Sequence, residues 1–416
     1  MTRAAKALTP KLRFPEFREW PKWDLLTLSS ASDVNPKNGG LPKQFIYIDL
    51  ESVKNGALIE RKEISRDAAP SRAQRLLSRK DIIYQTVRPY QRNNLFFDID
   101  DGHEYVASTG YAQIRAYGSP RFLYQLLHTD SFVRSVLARC TGSNYPAINP
   151  SALASIEVLL PKEGEQRKIA DCLGSLDDLI AAEGRKLEAL RQHKKGLMQQ
   201  LFPQPGETAP RLRFPEFRET GDWRRNHIGS VASIAKGKGL SKADIESGGA
   251  IPCIRYAEIY THYGEVIHEV VSSTNAPKKN LMLSQAEDVI VPASGETKTD
   301  IAKAACVLAE GVALGSDLNV LRSDLYGPFF SYLLNSPLRH QIARIAQGDT
   351  VAHLYPKQIS QVELAYPSHL EQQKIAECLG SLDALIAAGG RKLEALRQHK
   401  RGLMQQLFPN PKEGHA

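Results

Sequence analysis

Three residues in the second half of this 416-residue chain have the types and the order that metal-assisted phosphodiester chemistry needs. Asp288 is followed by Glu296 and Lys298, in the Asp…Glu-x-Lys order in which two carboxylates can hold Mg²⁺ beside a lysine. The pattern is short, and we find no equivalent in the first half of the chain. We therefore favour a polar loop on a binding surface, and a metal-dependent nuclease stays open as an alternative.

Other enzyme signatures are missing from the sequence. It contains no Gly-x-x-x-x-Gly-Lys-[Ser/Thr] phosphate loop, no dinucleotide-binding glycine fingerprint and no Asn-Pro-Pro-aromatic tetrad. These absences argue against an ATPase and against an amino-methyltransferase active site within this chain.

Basic, amide and aromatic residues cluster in two separate regions. Arginine and lysine can contact phosphates and guanine edges, asparagine and glutamine can pair with adenine, and tyrosine can stack. A solvated surface is the simpler interpretation of any single residue, but the two sets, interleaved with glycines, favour binding. The net charge of +8 is compatible with a polyanion partner without requiring one. The predicted nucleic-acid-binding residues are Arg72, Arg75, Tyr84, Gln85, Arg88, Tyr90, Arg92, Asn93, Asn144 and Tyr145 in the first region, and Lys236, Lys238, Lys242, Arg255, Tyr256, Tyr260, Thr261, Tyr263, Ser294, Glu296, Thr297 and Lys298 in the second.

An internal repeat frames these two regions. The 39-residue passage Glu165–Pro203 returns as Glu371–Pro409 with five differences, and the opening Pro10–Glu19 returns as Pro210–Glu219. The residues between the repeats, roughly 24–141 and 224–347, barely resemble each other. Two constant frames therefore hold two variable inserts, and the chain presents two different surfaces in one geometry.

The long repeat has the spacing of a helix that pairs with another helix. Its apolar residues alternate at intervals of four and three, which is an a/d heptad pattern. We expect a helix of about 28 residues, or ~42 Å, with Ser175 as N-cap, Asp178 completing a capping box, and Phe202-Pro203 at its end. Pairing the two copies buries both seams, and an antiparallel pair needs no long return connection. The predicted helix-pairing residues are Leu176, Ile180, Leu187, Leu190 and Leu197 in the first copy and Leu382, Ile386, Leu393, Leu396 and Leu403 in the second.

The inserts are predicted to be globular domains of mixed structure. The fold class is therefore α+β, with two globular α+β domains separated by two long helices that pair as an antiparallel coiled coil, and with a pseudo-twofold internal repeat. The predicted boundaries are 1–160, 161–209, 210–366 and 367–416. Helices are predicted at Phe122–Cys140 and Gly327–Ala346, and strands at Gln44–Leu50, Asp81–Val87, Ile156–Leu160, Ile251–Tyr256, Asp288–Val291 and Val362–Ala365.

The cysteines and the hydropathy favour a reduced, cytoplasmic protein. No apolar run approaches the ~20 residues of a membrane span, and the first residues lack the apolar stretch of a signal peptide. The five cysteines are scattered without a Cys-x-x-Cys pair, so we expect no bound metal. Cys172 and Cys378 hold equivalent repeat positions and could form a disulfide if the helices bring them together. An ordinary buried thiol is the simpler interpretation.

These features together resemble the specificity (S) subunits of Type I restriction–modification enzymes. The resemblance lies in the duplicated Lys-Ile-Ala-x-Cys-Leu-Gly-Ser-Leu-Asp…Gly-Leu-Met-Gln-Gln-Leu-Phe-Pro blocks, the Leu-Arg-Phe-Pro-Glu-Phe openings and the variable–constant–variable–constant order. Each insert is similar to a recurring class of target recognition domain, and the two classes differ. The segments that carry this likeness are Tyr47–Asp49, Pro70–Ala73 and Val87–Tyr90 in the first insert, and Gly239–Lys242, Ile254–Tyr256 and Ser294–Thr297 in the second.

The resemblance implies a non-catalytic subunit that binds double-stranded DNA. Each recognition domain would read one half of a bipartite, asymmetric site, and the antiparallel constant helices would set the spacer between the halves. Two modification (M) subunits would dock on the constant regions, and restriction (R) subunits would join them. No cofactor would be bound by this chain, since S-adenosylmethionine, ATP and Mg would be held in the partner subunits.

The geometry expected from the residues agrees with this assignment. Recognition modules that read one face of a duplex lie about one turn, ~34 Å, apart, which is the scale of the predicted helix. Since the inserts differ, the two half-sites should differ as well. Two alternatives stay open, a single-chain nuclease or restriction–modification fusion, and a coiled-coil scaffold that binds only protein.

Overall fold

The computed structural model describes residues 8–204, 206–348 and 351–410, and its chain divides into two compact units. Unit 1 comprises Met1–Gly184 and Lys392–Ala416, and unit 2 comprises Arg185–Arg391. Each unit contains one insert, the first part of one long helix and the last part of the other. The N-terminal and C-terminal segments of the chain therefore belong to the same unit.

The insert of unit 1 is built from short strands with helices at its end. The helices are α1 (Leu28–Ala31), α2 (Pro120–Leu127), α3 (Asp130–Leu137), α4 (Pro150–Ala154) and the long α5 (Glu163–Gln200). The strands are β1 (Asp24–Thr27), β2 (Ser32–Val34), β3 (Gln44–Ile48), β4 (Val53–Lys54), β5 (Ala57–Leu58), β6 (Lys62–Ser65), β7 (Ala73–Leu76), β8 (Ile82–Gln85), β9 (Leu95–Phe96), β10 (Tyr105–Ser108), β11 (Tyr111–Ala116) and β12 (Glu157–Leu160).

The insert of unit 2 follows the same plan. Its helices are α6 (Ile228–Val231), α7 (Tyr256–Thr261), α8 (Lys298–Ile301), α9 (Gly327–Asn335), α10 (Arg339–Ile345), α11 (Pro356–Ser360) and the long α12 (His369–Leu407). Its strands are β13 (Arg224–His227), β14 (Ala232–Lys236), β15 (Ile251–Ile254), β16 (Val266–Ile267), β17 (Ser272–Thr274), β18 (Met282–Leu283), β19 (Asp288–Pro292), β20 (Ser294–Gly295), β21 (Ala305–Val307), β22 (Ala313–Leu314), β23 (Leu318–Ser323), β24 (Ala352–His353) and β25 (Glu363–Tyr366).

The two inserts share one topology although their sequences barely resemble each other. The strand orders β2-β11-β8-β9 and β6-β3-β10-β7 of unit 1 match β14-β23-β19-β21 and β17-β15-β22-β18 of unit 2, where β16 adds a fifth strand beside β21. In both units one pair of the second sheet is parallel, β3 with β10 and β15 with β22, while the first and last strands of the insert pair antiparallel. The predicted α+β class is confirmed, and its duplication extends into the inserts.

The predicted strands are all found, with ends that shift by one or two residues. The two predicted insert helices are each divided in two. The stretch Phe122–Cys140 breaks between α2 and α3 because the Thr129 side chain accepts a hydrogen bond from the Phe132 amide and so caps a new helix. Gly327–Ala346 breaks in the same place, between α9 and α10.

The prediction that Ser175 begins the long helix is wrong. Helix α5 already starts at Glu163 and passes through Gly174 without a break, and the Ser175 hydroxyl donates to the Asp171 carbonyl 2.8 Å away. The residues before Ser175 are helical because Ile169 and Leu173 are buried against the insert, which outweighs the ~1 kcal/mol that a helical glycine costs. Asp178 is exposed and forms no capping box.

The long helices pair antiparallel in each unit. In unit 1 Asp177 accepts a hydrogen bond of 2.6 Å from Lys400, and Glu183, farther along α5, pairs with Lys392, which comes earlier in α12. In unit 2 Lys194 donates to Asp383 at 2.6 Å. The predicted helix-pairing residues are buried at Leu187 and Leu393 and half-buried at Leu176, Ile180, Leu190, Leu197, Leu382, Ile386, Leu396 and Leu403.

The repeated openings attach each insert to the start of its helix. Arg13 forms a two-pronged ion pair with Glu165 at 2.8 and 2.7 Å, and Arg213 does the same with Glu371 at 2.8 and 2.8 Å. Both glutamates are 1% exposed. Because a buried carboxylate needs its partner, this pair fixes the opening against the helix in both units.

The end of the other helix completes the core of each unit. Trp23 packs edge-on against Phe408 in unit 1, as Trp223 does against Phe202 in unit 2. Cys172 and Cys378 are both free thiols. No helix within the described residues is long and apolar enough to cross a membrane.

Candidate functional site

Two loops of unit 1 bring predicted binding residues together. The β8–β9 loop, residues 86–94, meets the turn at residues 141–148 through a β-bridge between Val87 and Ala147. The Ile148 amide donates to the Thr86 carbonyl at 3.0 Å, and the Arg88 amide donates to the Pro146 carbonyl at 2.7 Å. These bonds hold the two loops as one surface.

Arg88 and Tyr145 form the centre of this surface. The Arg88 guanidinium lies 4.3 Å from the centre of the Tyr145 ring, and Tyr145 is 65% exposed. Arg88 has a φ of 54°, a left-handed conformation that costs a non-glycine residue of order 1 kcal/mol and is enriched at functional sites. Tyr90 lies next to it and is 51% exposed.

Other predicted residues flank this centre. Arg92, also at a φ of 54°, donates to Asp130 at 2.7 Å, and the exposed Asn144 lies in the turn beside Tyr145. The Arg72 carbonyl accepts a hydrogen bond from the Thr109 amide, and this connects the Arg72 loop to the same edge. Arg75 is half-buried in β7, where burial lowers the pKa of its guanidinium.

Two predicted binding residues of unit 1 lie in the interior instead. Tyr84 is 1% exposed and packs edge-on against Phe132, with 5.7 Å between ring centres, and burial raises the pKa of its hydroxyl. Gln85 is also 1% exposed; its side chain donates to Gln91 and accepts from the Asn93 amide. Strand β8 is covered on both faces, so Gln85 supports the β8–β9 loop from beneath rather than facing solvent.

Unit 2 joins the equivalent loops in the same way. The β19–β21 loop, residues 293–304, meets residues 352–354, where Ser294 pairs with His353 and Gly295 with Ala352. The Leu354 amide donates to the Ala293 carbonyl at 3.0 Å, as Ile148 does to Thr86 in unit 1. The same two loops therefore meet in both units, but they carry different side chains.

A second segment of unit 2 adds basic residues to this region. The Lys236 ammonium lies 5.6 Å from the centre of the Tyr355 ring, and Lys238 and Lys242 are exposed. The glycines between them are required by space. A Cβ on Gly237 would lie 2.0 Å from the Gly315 carbonyl oxygen, so any other residue would push this loop away.

An open cavity of about 920 Å³ lies beside these lysines and is lined partly by Lys242, Arg255 and Tyr256. Arg255 donates to Glu258 at 3.2 Å, and the Tyr256 ring lies 6.2 Å from that of Tyr260. The cavity combines cationic and aromatic groups at the surface of the insert, which are the groups that bind nucleotides.

Two other predicted residues of unit 2 serve the fold. Tyr263 belongs to the core, and its hydroxyl accepts a hydrogen bond from the Val271 amide at 3.0 Å. Thr261 is exposed, and its hydroxyl donates to the Ala257 carbonyl at 2.8 Å. Tyr263 lies beyond the end of α7 and packs into the core there, which its closeness in sequence to the tyrosines of α7 does not reveal.

Asp288 forms an ion pair with Arg322 and does not form a site with Glu296 and Lys298. It is 2% exposed and accepts hydrogen bonds from Arg322 at 3.0 and 3.2 Å and from the Gln285 amide at 2.9 Å. Glu296 and Lys298 are exposed, and Thr297 caps α8 by accepting from the Asp300 amide. Among the described residues no group of three or more His, Cys, Asp or Glu side chains could hold a metal ion.

In the first half of the chain, Asp81 is the structural counterpart of Asp288 alone, and the loop that follows it holds no Glu-x-Lys pair. Asp81 is fully buried, accepts from Arg115 at 2.8 Å, and accepts from the Ser78 amide at 2.7 Å. Each aspartate stands at the start of the central strand and binds an arginine of the neighbouring strand. Asp288 is therefore a structural residue of the repeated topology.

The sequence-based list omits His353 and Tyr355, which lie against the predicted residues Ser294 and Lys236. Tyr355 is 46% exposed, and its ring stacks on that of His353 with 6.3 Å between centres. Aligning the two halves of the sequence at Gly142 and Gly348 could have indicated both residues, because it places them in or directly after the counterpart of the turn that carries Tyr145. Both glycines have a positive φ, 89° and 97°, and each precedes the segment that meets the β8–β9 loop in unit 1 or the β19–β21 loop in unit 2.

Comparisons with known proteins agree with this arrangement. The sequence profile described as Type I restriction modification DNA specificity domain matches residues 35–192 and 220–398, once in each half of the chain. The Type I restriction enzyme MjaVIII specificity subunit of Methanocaldococcus jannaschii is 24% identical over 299 residues, which is 68% of this chain and 68% of that protein.

Solved structures show the same fold. The Type-I restriction-modification system S subunit from M. genitalium superimposes with a TM-score of 0.62 at 17% identity, over 97% of this chain and 99% of that one. A chain from a structural study of complex assembly in the type I R-M system gives a TM-score of 0.53 at 20% identity, over 93% of this chain and 98% of that one. Because the family match spans both halves and most of the sequence, this chain belongs to the Type I restriction modification DNA specificity family and is the subunit that recognises the DNA sequence.

Proposed function

We propose that each unit reads one half of a bipartite, asymmetric site in double-stranded DNA. The observation that carries the proposal is that the same two loops meet in both units and present different residues. Arg88 and Tyr145 stand in unit 1 where Gly295 and Val351 stand in unit 2. Since base contacts specify sequence, different side chains on one scaffold read different half-sites.

We propose that the constant helices fix the spacer between the two halves. Helix α5 is continuous for 38 residues and α12 for 39, which is a length of about 57 Å at ~1.5 Å per residue. In this proposal a change in the length of the helices changes the length of the spacer and leaves the residues of both inserts unchanged.

The duplicated surface residues support two equivalent docking faces for one kind of partner. Leu179 is 41% exposed and its repeat equivalent Leu385 is 54% exposed, while Leu12 and Leu212 are 39% and 37% exposed. These leucines contribute little to the core because they are partly exposed. Their presence in both repeats therefore favours a contact with another protein. We propose that two modification (M) subunits dock there and that restriction (R) subunits join the complex.

The chain itself supplies recognition rather than catalysis in this proposal. S-adenosylmethionine, ATP and Mg would be bound in the partner subunits, and the assembled enzyme would work in the cytoplasm. The ion pair between Asp288 and Arg322 supports this assignment of catalysis to the partners. Asp288 is the first carboxylate of the Asp…Glu-x-Lys pattern, and its pairing with Arg322 leaves that pattern without a free carboxylate at this position.

Methylation mapping of a host that carries this chain and its modification subunit tests the proposal. The account predicts one methylated motif made of two different half-sites separated by a fixed run of unspecified bases. A contiguous or palindromic motif would contradict it. Long-read sequencing reports the motif, the spacer and the modified base in one experiment.

A further inference from the structure

One helix in each unit contacts both the helix pair and the recognition loop, which is the β8–β9 loop (residues 86–94) in unit 1 and the β19–β21 loop (residues 293–304) in unit 2. Helix α2 of unit 1 and α9 of unit 2 are equivalent, because Phe122 and Phe329 pack in the same way on Trp23 and Trp223. With these phenylalanines aligned, both sequences continue with the same two leucines, Leu126-Leu127 and Leu333-Leu334. Positions along the two helices can therefore be compared residue by residue.

The first common position anchors the helix to the helix pair. Gln125 donates to the Asp177 carboxylate at 2.7 Å, and at the aligned position Tyr332 donates to the Asp383 carboxylate at 2.6 Å. The two aspartates are themselves equivalent positions of the long repeat. Different side chains thus make the same connection.

The second common position lies three residues later and holds the end of the recognition loop. In unit 1 His128 Nδ1 lies 2.8 Å from the Tyr124 carbonyl, which can only accept, so Nδ1 carries the proton. The other ring nitrogen, Nε2, lies 3.3 Å from the Asn94 amide nitrogen and accepts from it. Asn94 Oδ1 in turn accepts from the Gln85 amide at 2.7 Å.

In unit 2 the aligned residue is Asn335, and it holds the equivalent point of the chain. Its Oδ1 accepts from the Ala304 amide at 3.1 Å, and its Nδ2 donates to the Ala304 carbonyl at 2.7 Å. Nδ2 also donates to the Ser331 carbonyl, four residues earlier, as His128 does to Tyr124. Asn94 and Ala304 each stand directly before the return strand of the recognition loop.

We propose that His128 and Asn335 are positioning residues, and that each sets the orientation of the recognition loop of its own unit relative to the constant helices. This inference rests on the proposed function. Each residue connects the loop to a helix whose preceding turn is bonded to the helix pair, so the loop cannot shift without breaking a partly buried hydrogen bond. Loss of the residue should therefore affect the half-site that its unit reads and spare the other.

The surroundings favour a fixed rather than an adjustable contact. Asn94 is 1% exposed, so its amide has no water to replace His128, and a buried polar group left unpaired is costly. Burial lowers the pKa of His128 to about 4, which keeps the ring neutral and Nε2 an acceptor at ordinary pH. Recognition of bases needs side chains held within about half an ångström.

The test measures discrimination at each half-site by the enzyme assembled with its modification subunits. Competition binding uses duplexes in which only one half-site carries a mismatch. Asn335→Ala is expected to lower the ratio of matched to mismatched binding about tenfold at the unit 2 half-site and to leave the unit 1 ratio unchanged. His128→Ala is expected to do the reverse, and His128→Gln, which keeps an acceptor near Nε2, is expected to restore discrimination.

Equal losses at both half-sites, or an unchanged ratio at both, would overturn the inference. If the Asn335→Ala enzyme does not assemble, Tyr332→Phe is measured instead, because it removes only the hydroxyl that binds Asp383. The same loss of discrimination at the unit 2 half-site is expected for this variant. The wild-type enzyme separates the two proposals. If it shows no independent half-sites, the proposed function fails; if it does and the variants match it, only this inference fails.

Discussion

The side-chain nitrogen of Lys194 lies 2.6 Å from Oδ1 of Asp383, and Lys400 and Asp177 repeat this contact at the same distance. The two lysines hold equivalent positions of the long repeat, and so do the two aspartates. A parallel pair in register would place each residue opposite its own copy. An antiparallel pair instead lets one sequence form the same ion pair twice, so the charges specify direction and register.

Replacing these two lysines should have unequal effects. Lys194 also donates to Glu265 at 2.7 Å and is 9% exposed, so Lys194→Met leaves two carboxylates without their cation. We expect it to destabilise unit 2 by about 2–3 kcal/mol. Lys400→Met leaves only Asp177, which is 39% exposed, and should destabilise unit 1 by about 1 kcal/mol. Hydrogen exchange of helix amides in each unit measures both, and equal effects would contradict the account.

Arg88 and Tyr145 should act together in reading the unit 1 half-site. We expect Arg88→Gln and Tyr145→Ala each to weaken binding of the matched site about tenfold or more in the assembled enzyme, since a good base contact is worth roughly 1–3 kcal/mol. Because the two side chains touch, the double variant should lose less than the sum of the single losses. Strict additivity would show that the stacked pair is not a unit.

The matched control for this pair is Arg139→Gln. Arg139 is exposed in the same insert, lies outside the joined loops in the sequence, and donates to the Ser135 carbonyl at 3.0 Å. Its loss should change neither the matched nor the mismatched binding beyond the small effect of one surface charge. A loss as large as that of Arg88→Gln would mean that net charge, rather than position, drives the effect.

Unit 1 should lose stability as the pH falls from 7 to 5. The folded pKa of His128 is lowered to about 4 by burial, with Lys400 and Arg92 opposing and Asp177 favouring its charge, whereas the unfolded value is ~6.5. As the pH falls, the unfolded chain therefore binds the proton before the folded chain does. The contribution of neutral His128 to the stability of unit 1 is fully present above pH ~6.5 and is lost as the pH falls towards 4. We expect a loss of about 1–2 kcal/mol between pH 7 and 5, and a flatter profile for His128→Gln. Identical profiles would contradict the assignment.

Removing one heptad from each long helix should change the spacer alone. The deletions lie within Leu176–Leu201 and Leu382–Leu407 and shorten each helix by about 10 Å. Methylation mapping should then report both original half-sites at a shorter preferred spacing. An unchanged spacing would contradict a ruler role for the helices, and altered half-sites would show that the inserts depend on helix length.

The repeated helices of this molecule can be predicted from the sequence, whereas the surface residues of the inserts can be predicted only in part. Heptad spacing predicts ten pairing residues from local periodicity; Leu187 and Leu393 are buried, and the other eight are half-buried. The prediction of a helix start at Ser175 fails because a serine can either cap a helix or, inside one, donate its hydroxyl to the carbonyl four residues earlier. The sequence alone does not distinguish these two roles. The difference lies in Ile169 and Leu173, whose burial depends on the distant insert.

Surface position in the inserts is harder to predict for the same reason. Tyr84, Gln85 and Tyr263 occur in polar, aromatic segments, yet strand β8 and the segment that follows α7 are covered by other parts of the chain. Asp288 resembles a metal ligand until Arg322, 34 residues later, is seen beside it. The contacts that decide these cases are long-range pairings across a sheet.

Exchange of one insert tests the central claim most directly. Residues 24–160 are replaced by the corresponding insert of another specificity subunit, and the methylated motif of the assembled enzyme is mapped. The account predicts that one half-site changes while the other half-site and the spacer are retained. A change in both half-sites, or in neither, would contradict it.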